Sequence, residues 1–244
     1  MITAIIQARM GSTRLPGKVL MKIGNHIMLK YMIDRVSKSK LIDQVVIATS
    51  VNELDDEIEK FCLIHNFKCY RGSENDVLDR YYCAAKKFSS KIIVRMTADC
   101  PLVDPVIIDK TIKLFLDKKV DYAANAVPPD KKKYPDGSDV EVFSFDNLKL
   151  AWNRVKNIKD REHVTFYFWK NNNNFTLALL SNKYDWGKYR ITVDYIEDFN
   201  LVSHIISYLD NNKLNGSLKE IIDFLDDNPQ IKNINSQYTW GMNW

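Results

Sequence analysis

The stretch Thr3-Ala4-Ile5-Ile6-Gln7-Ala8-Arg9-Met10-Gly11-Ser12-Thr13-Arg14-Leu15-Pro16-Gly17-Lys18 decides the fold. Residues 3–7 read as a buried first strand, and the chain then breaks into a small-residue, basic loop. Outward from it, short β-branched runs alternate with helical patterns. Residues 44–48, 68–70 and 91–95 read as strands. Residues 26–37, 54–65, 76–88 and 105–116 read as helices, the last opened by Pro105 in its first turn. This βαβαβ alternation predicts an α/β, doubly wound, mostly parallel sheet, whose ligands lie beyond the carboxyl ends of the strands.

The alternation loosens after about residue 126. Pro128-Pro129 and the Lys131-Lys132-Lys133 run look like an exposed loop, either simply solvated or able to close over phosphates. Tyr134-Pro135-Asp136-Gly137 is a turn signal. Residues 139–145 alternate like a strand, 160–170 look helical and 175–180 read as another strand. Residues 128–185 are therefore expected to form a small inserted lobe within a single domain spanning 1–244. The closing part returns to the main sheet, with a strand at 189–193 and helices at 197–209 and 218–225.

Composition is that of an ordinary globular protein: 244 residues, 45% hydrophobic, 27% charged, net charge +4. Such mild charge does not demand nucleic acid. The aromatic stretch Phe166, Tyr167, Phe168, Trp169 has one adjacent lysine, too few cations for a single-stranded nucleic-acid platform, so core packing or a dimer contact is its expected role. No apolar run approaches the ~20 residues of a membrane span, and the first residues lack a signal-peptide pattern, so no membrane association and a cytoplasmic location are expected. Cys62, Cys69, Cys83 and Cys100 form no CxxC pair and read as free, mostly buried thiols.

The loop after the first strand carries the chemistry. Gly11 and Ser12 let backbone amides turn toward an anion, and Arg9, Arg14 and Lys18 can surround a triphosphate. Gly17 supplies a turn before Lys18. Val19 stands where a P-loop needs its metal-binding hydroxyl, so this is not a P-loop. The bland alternative is a solvated basic turn. Asp99 ends the strand at 91–95 and its following residues, where a carboxylate can hold a hard cation or cap the next segment. Asp194 also follows a strand, and two such carboxylates can clamp one Mg²⁺ against phosphates. Asp104, Glu197 and Asp198 read as helix N-terminal acids. Asp139 and Glu141 share one strand face, to bind hydroxyls or to pair with lysines. His163, beside Arg161, either hydrogen-bonds an acceptor or is structural, and His26, His65 and His204 read as structural.

The string from Ile5 to Lys18 resembles the start of the cytidylyltransferases that activate acidic sugars, the 3-deoxy-manno-octulosonate and acylneuraminate enzymes, and in particular the spore coat polysaccharide biosynthesis protein F (SpsF-type) branch. Arg95-Met96-Thr97-Ala98-Asp99-Cys100-Pro101-Leu102-Val103-Asp104-Pro105, Arg161-Glu162-His163-Val164-Thr165 and Arg190-Ile191-Thr192-Val193-Asp194-Tyr195-Ile196-Glu197-Asp198 fit the same branch, in matching order over roughly residues 1–200. The resemblance implies a Rossmann-like nucleotidyltransferase fold and transfer of CMP from CTP to a sugar or sugar-acid-like acceptor, with release of pyrophosphate. It implies Mg²⁺ on Asp99 and Asp194, and a homodimer built through the lobe. On this resemblance Arg9 and Lys18 are catalytic. Ala8, Arg9, Gly11, Ser12, Arg14, Lys18, Thr97 and Asp99 hold the nucleotide, with the base framed by Arg71, Gly72, Ser73 and Asp76, and Arg161 and His163 face the acceptor, for which Asp139 and Glu141 remain candidates on their shared strand face. Two other readings stay open. One is a glycosyltransferase consuming a nucleotide sugar, for which Asp139-Val140-Glu141 only approximates the Asp-x-Asp motif. The other is a catalytically silent nucleotide-binding subunit.

Overall fold

The computed structural model describes residues 1–126, 133–171 and 173–239. The Pro128-Pro129 pair and Lys131-Lys132, expected in an exposed loop, lie outside the described residues.

The strands are β1 (Ile2–Gln7), β2 (Lys22–Ile23), β3 (His26–Ile27), β4 (Gln44–Ser50), β5 (Lys68–Gly72), β6 (Ile92–Thr97), β7 (Tyr122–Ala124), β8 (Glu141–Ser144) and β9 (Leu177–Leu179). Seven of them form one sheet in the order β5-β4-β1-β6-β8-β7-β9, and β2 and β3 form a separate hairpin. Strands β5, β4, β1 and β6 run parallel, with Ile6 opposite Ile47 and Met96. The short β8 runs antiparallel to both β6 and β7, and β9 is parallel to β7.

Strand β1 is apolar on both faces because both are covered. Ala4 and Ile6 join one buried cluster and Ile5 the other. The first face is packed by α1 (Met28–Val36), α2 (Asp56–Ile64), α4 (Pro105–Lys118), α8 (Ile196–Asn211) and α9 (Leu218–Asp227). The second is packed by α3 (Val77–Lys87), α5 (Phe145–Arg154) and Val164 and Phe168 around α6 (Ile158–His163) and α7 (Phe166–Lys170). A short α10 (Pro229–Lys232) follows α9. Caps fix the helix starts: Asp76 accepts from Asp79 N at 2.9 Å, and Asp104 from Val106 N and Leu218 N, each at 2.8 Å. Among the described residues no helix is long and apolar enough to cross a membrane.

Several expectations are corrected. Of the described part of 128–185, β8 and β9 pair in the seven-stranded sheet, and α5 to α7 cover its second face. The strand expected to 145 stops at Ser144, whose hydroxyl accepts from Asn147 N at 3.1 Å and starts α5. The helix expected over 160–170 is two helices, broken where Val164 adopts φ 56°. Residues 26–27 are strand rather than helix. No strand forms at 189–193. Arg190 instead makes a single parallel bridge to Asp136, and Val193 N donates to Asp99 O at 2.8 Å.

Candidate active site

The loop after β1 is folded by its own backbone and by one buried acid. Ser12 N and Gly17 N both donate to Met10 O at 2.9 Å, and Met10 N donates to Asp55 Oδ1 at 2.7 Å. Gly17, at φ 72°, makes the left-handed turn that starts a one-turn 3₁₀ helix over Lys18–Leu20. That turn drives the Lys18 side chain inward.

Lys18 is 7% exposed. Its Nζ donates to Val193 O at 2.6 Å, Asp194 Oδ1 at 3.0 Å and Asp99 Oδ2 at 3.4 Å. Burial works against the ammonium, but Asp99 and Asp194 outweigh it and hold its pKa above the ordinary lysine value. The two aspartates come from separate segments, one after β6 and one before α8, tied by the Val193 N to Asp99 O bond. Arg14 Nη2 donates to Asp194 Oδ1 at 2.9 Å. Burial pushes the Asp194 carboxyl up, yet Lys18 and Arg14 bring it down to about 2.

A second cation, Arg190, sits behind this group. It donates to Asp136 Oδ2 at 2.6 Å, to Asp194 Oδ2 at 3.1 Å and to both oxygens of the fully buried Asp198, at 2.9 and 2.8 Å. Desolvation and the neighbouring Asp139 push Asp136 up to about 8, and the half-buried Asp139 rises to about 6 although Gly137 N donates to it at 3.0 Å. Arg95 is ion-paired with the buried Glu141.

Arg14, Lys18, Arg95, Asp99, Asp136, Asp139, Glu141, Arg190 and Asp194 line one cleft of about 640 Å³ at the carboxyl ends of β1 and β6, and the fully buried Asp198 lies outside its lining. Of the residues singled out by sequence, Ala8, Arg9, Ser12, Arg14, Lys18, Thr97, Asp99, Asp139, Glu141, His163 and Asp194 line it. Others are placed elsewhere. Gly11, Arg71, Gly72, Ser73, Asp76 and Arg161 are not in its lining. The Arg71 guanidinium is engaged by Asp56 at 2.6 Å, Glu59 at 3.0 Å and the Ser50 and Asn52 carbonyls. Arg161 binds Asp76 at 2.7 Å and the Trp152 and Val155 carbonyls, so this pair ties α6 to α3. Asp139 precedes β8 and Glu141 begins it, and Glu141's partner is Arg95 rather than a lysine. His163 stacks on Phe166 at 4.1 Å, and burial lowers its pKa. In the aromatic stretch, Phe166 and Phe168 are core residues.

Arg80, which the sequence offers as a further base contact after Arg71–Asp76, lines the cleft, and the sequence reading missed Arg95, Asp136, Arg190 and Thr192, which line it too. Arg190 opens the string Arg190–Asp198 that also holds Asp194 and Asp198, the one signal in the sequence that could have found it.

Among the described residues no three His, Cys, Asp or Glu side chains cluster as a metal cage, and all four cysteines are free thiols. Asp99 and Asp194 bring two hard oxygen donors together on Lys18 Nζ, a donor set of the kind Mg²⁺ completes with waters and phosphate oxygens rather than an all-protein cage.

A family model described as cytidylyltransferase matches residues 3–228. The chain is 35% identical over 238 residues to the spore coat polysaccharide biosynthesis protein SpsF of Bacillus subtilis, covering 93% of this chain and 95% of that protein. A 3-deoxy-manno-octulosonate cytidylyltransferase of Pelobacter propionicus is 36% identical over 119 residues, 48% of this chain and 45% of that one. A solved cytidylyltransferase of Leptospira borgpetersenii superposes with a TM-score of 0.88 at 34% identity, covering 95% and 96% of the two chains. The sheet is thus the Rossmann-like nucleotidyltransferase fold, and with the model match spanning nearly the whole length, the chain belongs to the cytidylyltransferase family.

Proposed function

We propose that this protein transfers CMP from CTP to a sugar or sugar-acid-like acceptor, releasing pyrophosphate, in the synthesis of surface polysaccharide or another glycan. The observation that carries this reading is Lys18 Nζ held between Asp99 and Asp194 at the end of a loop that also bears Arg9 and Arg14. A buried cation at a strand end, flanked by two more, suits the developing charge of a pyrophosphate leaving group. Membership of the family and the polysaccharide role in the name of the Bacillus relative support the choice of nucleotide and pathway.

In this mechanism Arg9 and Arg14 grip the triphosphate, and Lys18 neutralises oxygens around the α-phosphorus. An acceptor hydroxyl oxygen attacks that phosphorus in line, forming one P–O bond as the bond to the pyrophosphate oxygen breaks, and its proton passes to solvent. Asp99 and Asp194 would hold Mg²⁺, which supplies further neutralisation of phosphate oxygens. The reading places the enzyme in the cytoplasm as a homodimer, the latter checked by light scattering of the purified chain.

The test is pyrophosphate release from each nucleoside triphosphate with Mg²⁺ and a panel of sugar acids and sugar phosphates. CTP should be preferred, and Lys18→Ala or Asp99→Asn should each lower turnover by about 10²–10³ with the fold retained. Turnover near wild type in both variants overturns the assignment. Release of a nucleoside diphosphate from a nucleotide sugar would instead favour a glycosyltransferase, and tight CTP binding without turnover on any acceptor a silent subunit.

A further inference from the structure

The family match ends at residue 228, yet the following residues run back to the site. Helix α10 packs against α9 and α8. Beyond it Asn235, 4% exposed, donates from Nδ2 to Asp198 Oδ1 at 2.7 Å and to Arg190 O at 3.3 Å. Three residues later the Tyr238 ring lies parallel to that of Tyr195, with centroids 3.9 Å apart and planes 3° apart, and its hydroxyl donates to Glu197 Oε2 at 3.1 Å. The Arg14 guanidinium lies over the Tyr195 ring at 5.2 Å, and that of Arg190 over Tyr238 at 5.9 Å.

These contacts fall on the groups that aim the site. Asp198 receives Asp194 N at 2.9 Å, Tyr195 N at 3.1 Å and two donors from Arg190, so it fixes the backbone that presents the Asp194 carboxylate. Asn235 is its fifth donor. Arg14 is held by Asp194 and by the face of Tyr195, and Tyr195 is held by Tyr238. A long arginine side chain loses little entropy on binding an anion only when its resting position is already restricted.

We propose that residues 235–238 are a positioning element of the triphosphate-handling site, in which Asn235 orients Asp194 through Asp198 and Tyr238 restrains Arg14 through Tyr195. This rests on the functional reading of Arg14 and Asp194 given above. A packing role alone would lower the melting temperature and leave ligand affinity and turnover unchanged. A positioning role separates the two residues kinetically. Tyr238 acts on a triphosphate-gripping cation, so its loss raises KM for the nucleotide. Asn235 acts on a carboxylate at the reacting centre, so its loss lowers kcat.

The experiment measures binding of inorganic tripolyphosphate with Mg²⁺ by titration calorimetry, alongside CTP-dependent pyrophosphate release and melting temperature, for full-length wild type, Tyr238→Ala, Tyr238→Phe and Asn235→Ala. Tyr238→Ala should weaken tripolyphosphate and raise KM for CTP by about three- to tenfold, the size of a cation–π restraint. Tyr238→Phe keeps the stacked ring and should restore both to within about twofold. Asn235→Ala should lower kcat by about tenfold with a smaller change in KM, as expected when one donor to a buried acid is removed. Should Tyr238→Ala not fold, Tyr238→Leu, which keeps apolar cover without a π face, carries the same expectation. Wild-type Kd, KM and kcat in both Tyr238→Ala and Asn235→Ala overturn this inference alone. A wild type that binds neither CTP nor tripolyphosphate overturns the functional reading and this inference with it.

Discussion

Two aspartates of the cleft are driven in opposite directions by similar burial, and the difference lies in who shares their cations. Asp194 meets three cations, Lys18 (shared with Asp99), Arg14 and Arg190, and falls to about 2. Asp136 shares Arg190 with Asp194 and Asp198, faces Asp139, and rises to about 8 despite its 2.6 Å contact with the guanidinium. The consequences for stability have opposite signs. A depressed carboxyl contributes stability above its unfolded pKa of about 3.9 and loses it as pH falls toward 2. A raised carboxyl binds a proton in the folded state that the unfolded chain lacks between about pH 4 and 8, so stability falls as pH rises through that window. Asp139→Asn removes the charge facing Asp136 and should lower the Asp136 pKa. Scanning calorimetry from pH 5 to 8.5 should then show a shallower decline in melting temperature for the variant than for wild type. Parallel profiles would show that Asp139 does not set the Asp136 titration.

The element that sets this arrangement is the turn at Gly137, because it brings Asp136 against Arg190. Gly137 sits at φ 95°, and a Cβ there would lie 2.2 Å from Thr192 N and 2.6 Å from Ile191 C, both backbone atoms. Gly137→Ala should therefore cost about 2–5 kcal/mol, combining left-handed strain with overpacking. It should also reduce turnover, since Asp99, Val193 and Asp194 hang from the same segment. A urea midpoint within error of wild type would refute the close approach. The turn itself was legible as Tyr134-Pro135-Asp136-Gly137, as were β1, β4 and β6, whose β-branched runs are buried on both faces. Asp99 and Asp194 were legible for the same reason, since each follows such a run or its imitation, and Lys18 was legible as the last cation of the basic, small-residue loop after β1. What sequence could not carry was partnership across the fold. Arg190 meets Asp136 over 54 positions, and Arg71 turns to Asp56 and Glu59 on α2 instead of to the cleft. The four residues of β8 alternate equally well in either direction, and nothing in Val164 marks the break between α6 and α7.

Across the whole molecule the formal charge is +4, but the excess does not reside in the cleft. Among the described residues, six basic side chains line it (Arg9, Arg14, Lys18, Arg80, Arg95, Arg190) against seven acidic ones (Glu74, Asp99, Asp136, Asp139, Glu141, Glu162, Asp194), and since Asp136 keeps its proton up to about pH 8 the lining is close to charge balance near neutrality. Several of those cations are already neutralised in pairs, Arg95 by Glu141 and Arg190 by three aspartates. On the proposed function a nucleoside triphosphate would bring a cation of its own, and the two carboxylates around Lys18 are where that cation would meet the protein. At hundredfold excess over Kd, CTP with Mg²⁺ should stabilise the fold by about 2.7 kcal/mol, or about 5–10 °C for a chain of this size. Replacing Mg²⁺ by EDTA should shrink that shift to less than half, and Asp194→Asn should make the remaining shift insensitive to EDTA, because the carboxylate that links cation to protein is gone. A full shift in EDTA for wild type would mean that Arg9, Arg14 and Lys18 neutralise the triphosphate unaided, and that Asp99 and Asp194 serve only to hold Lys18 in place.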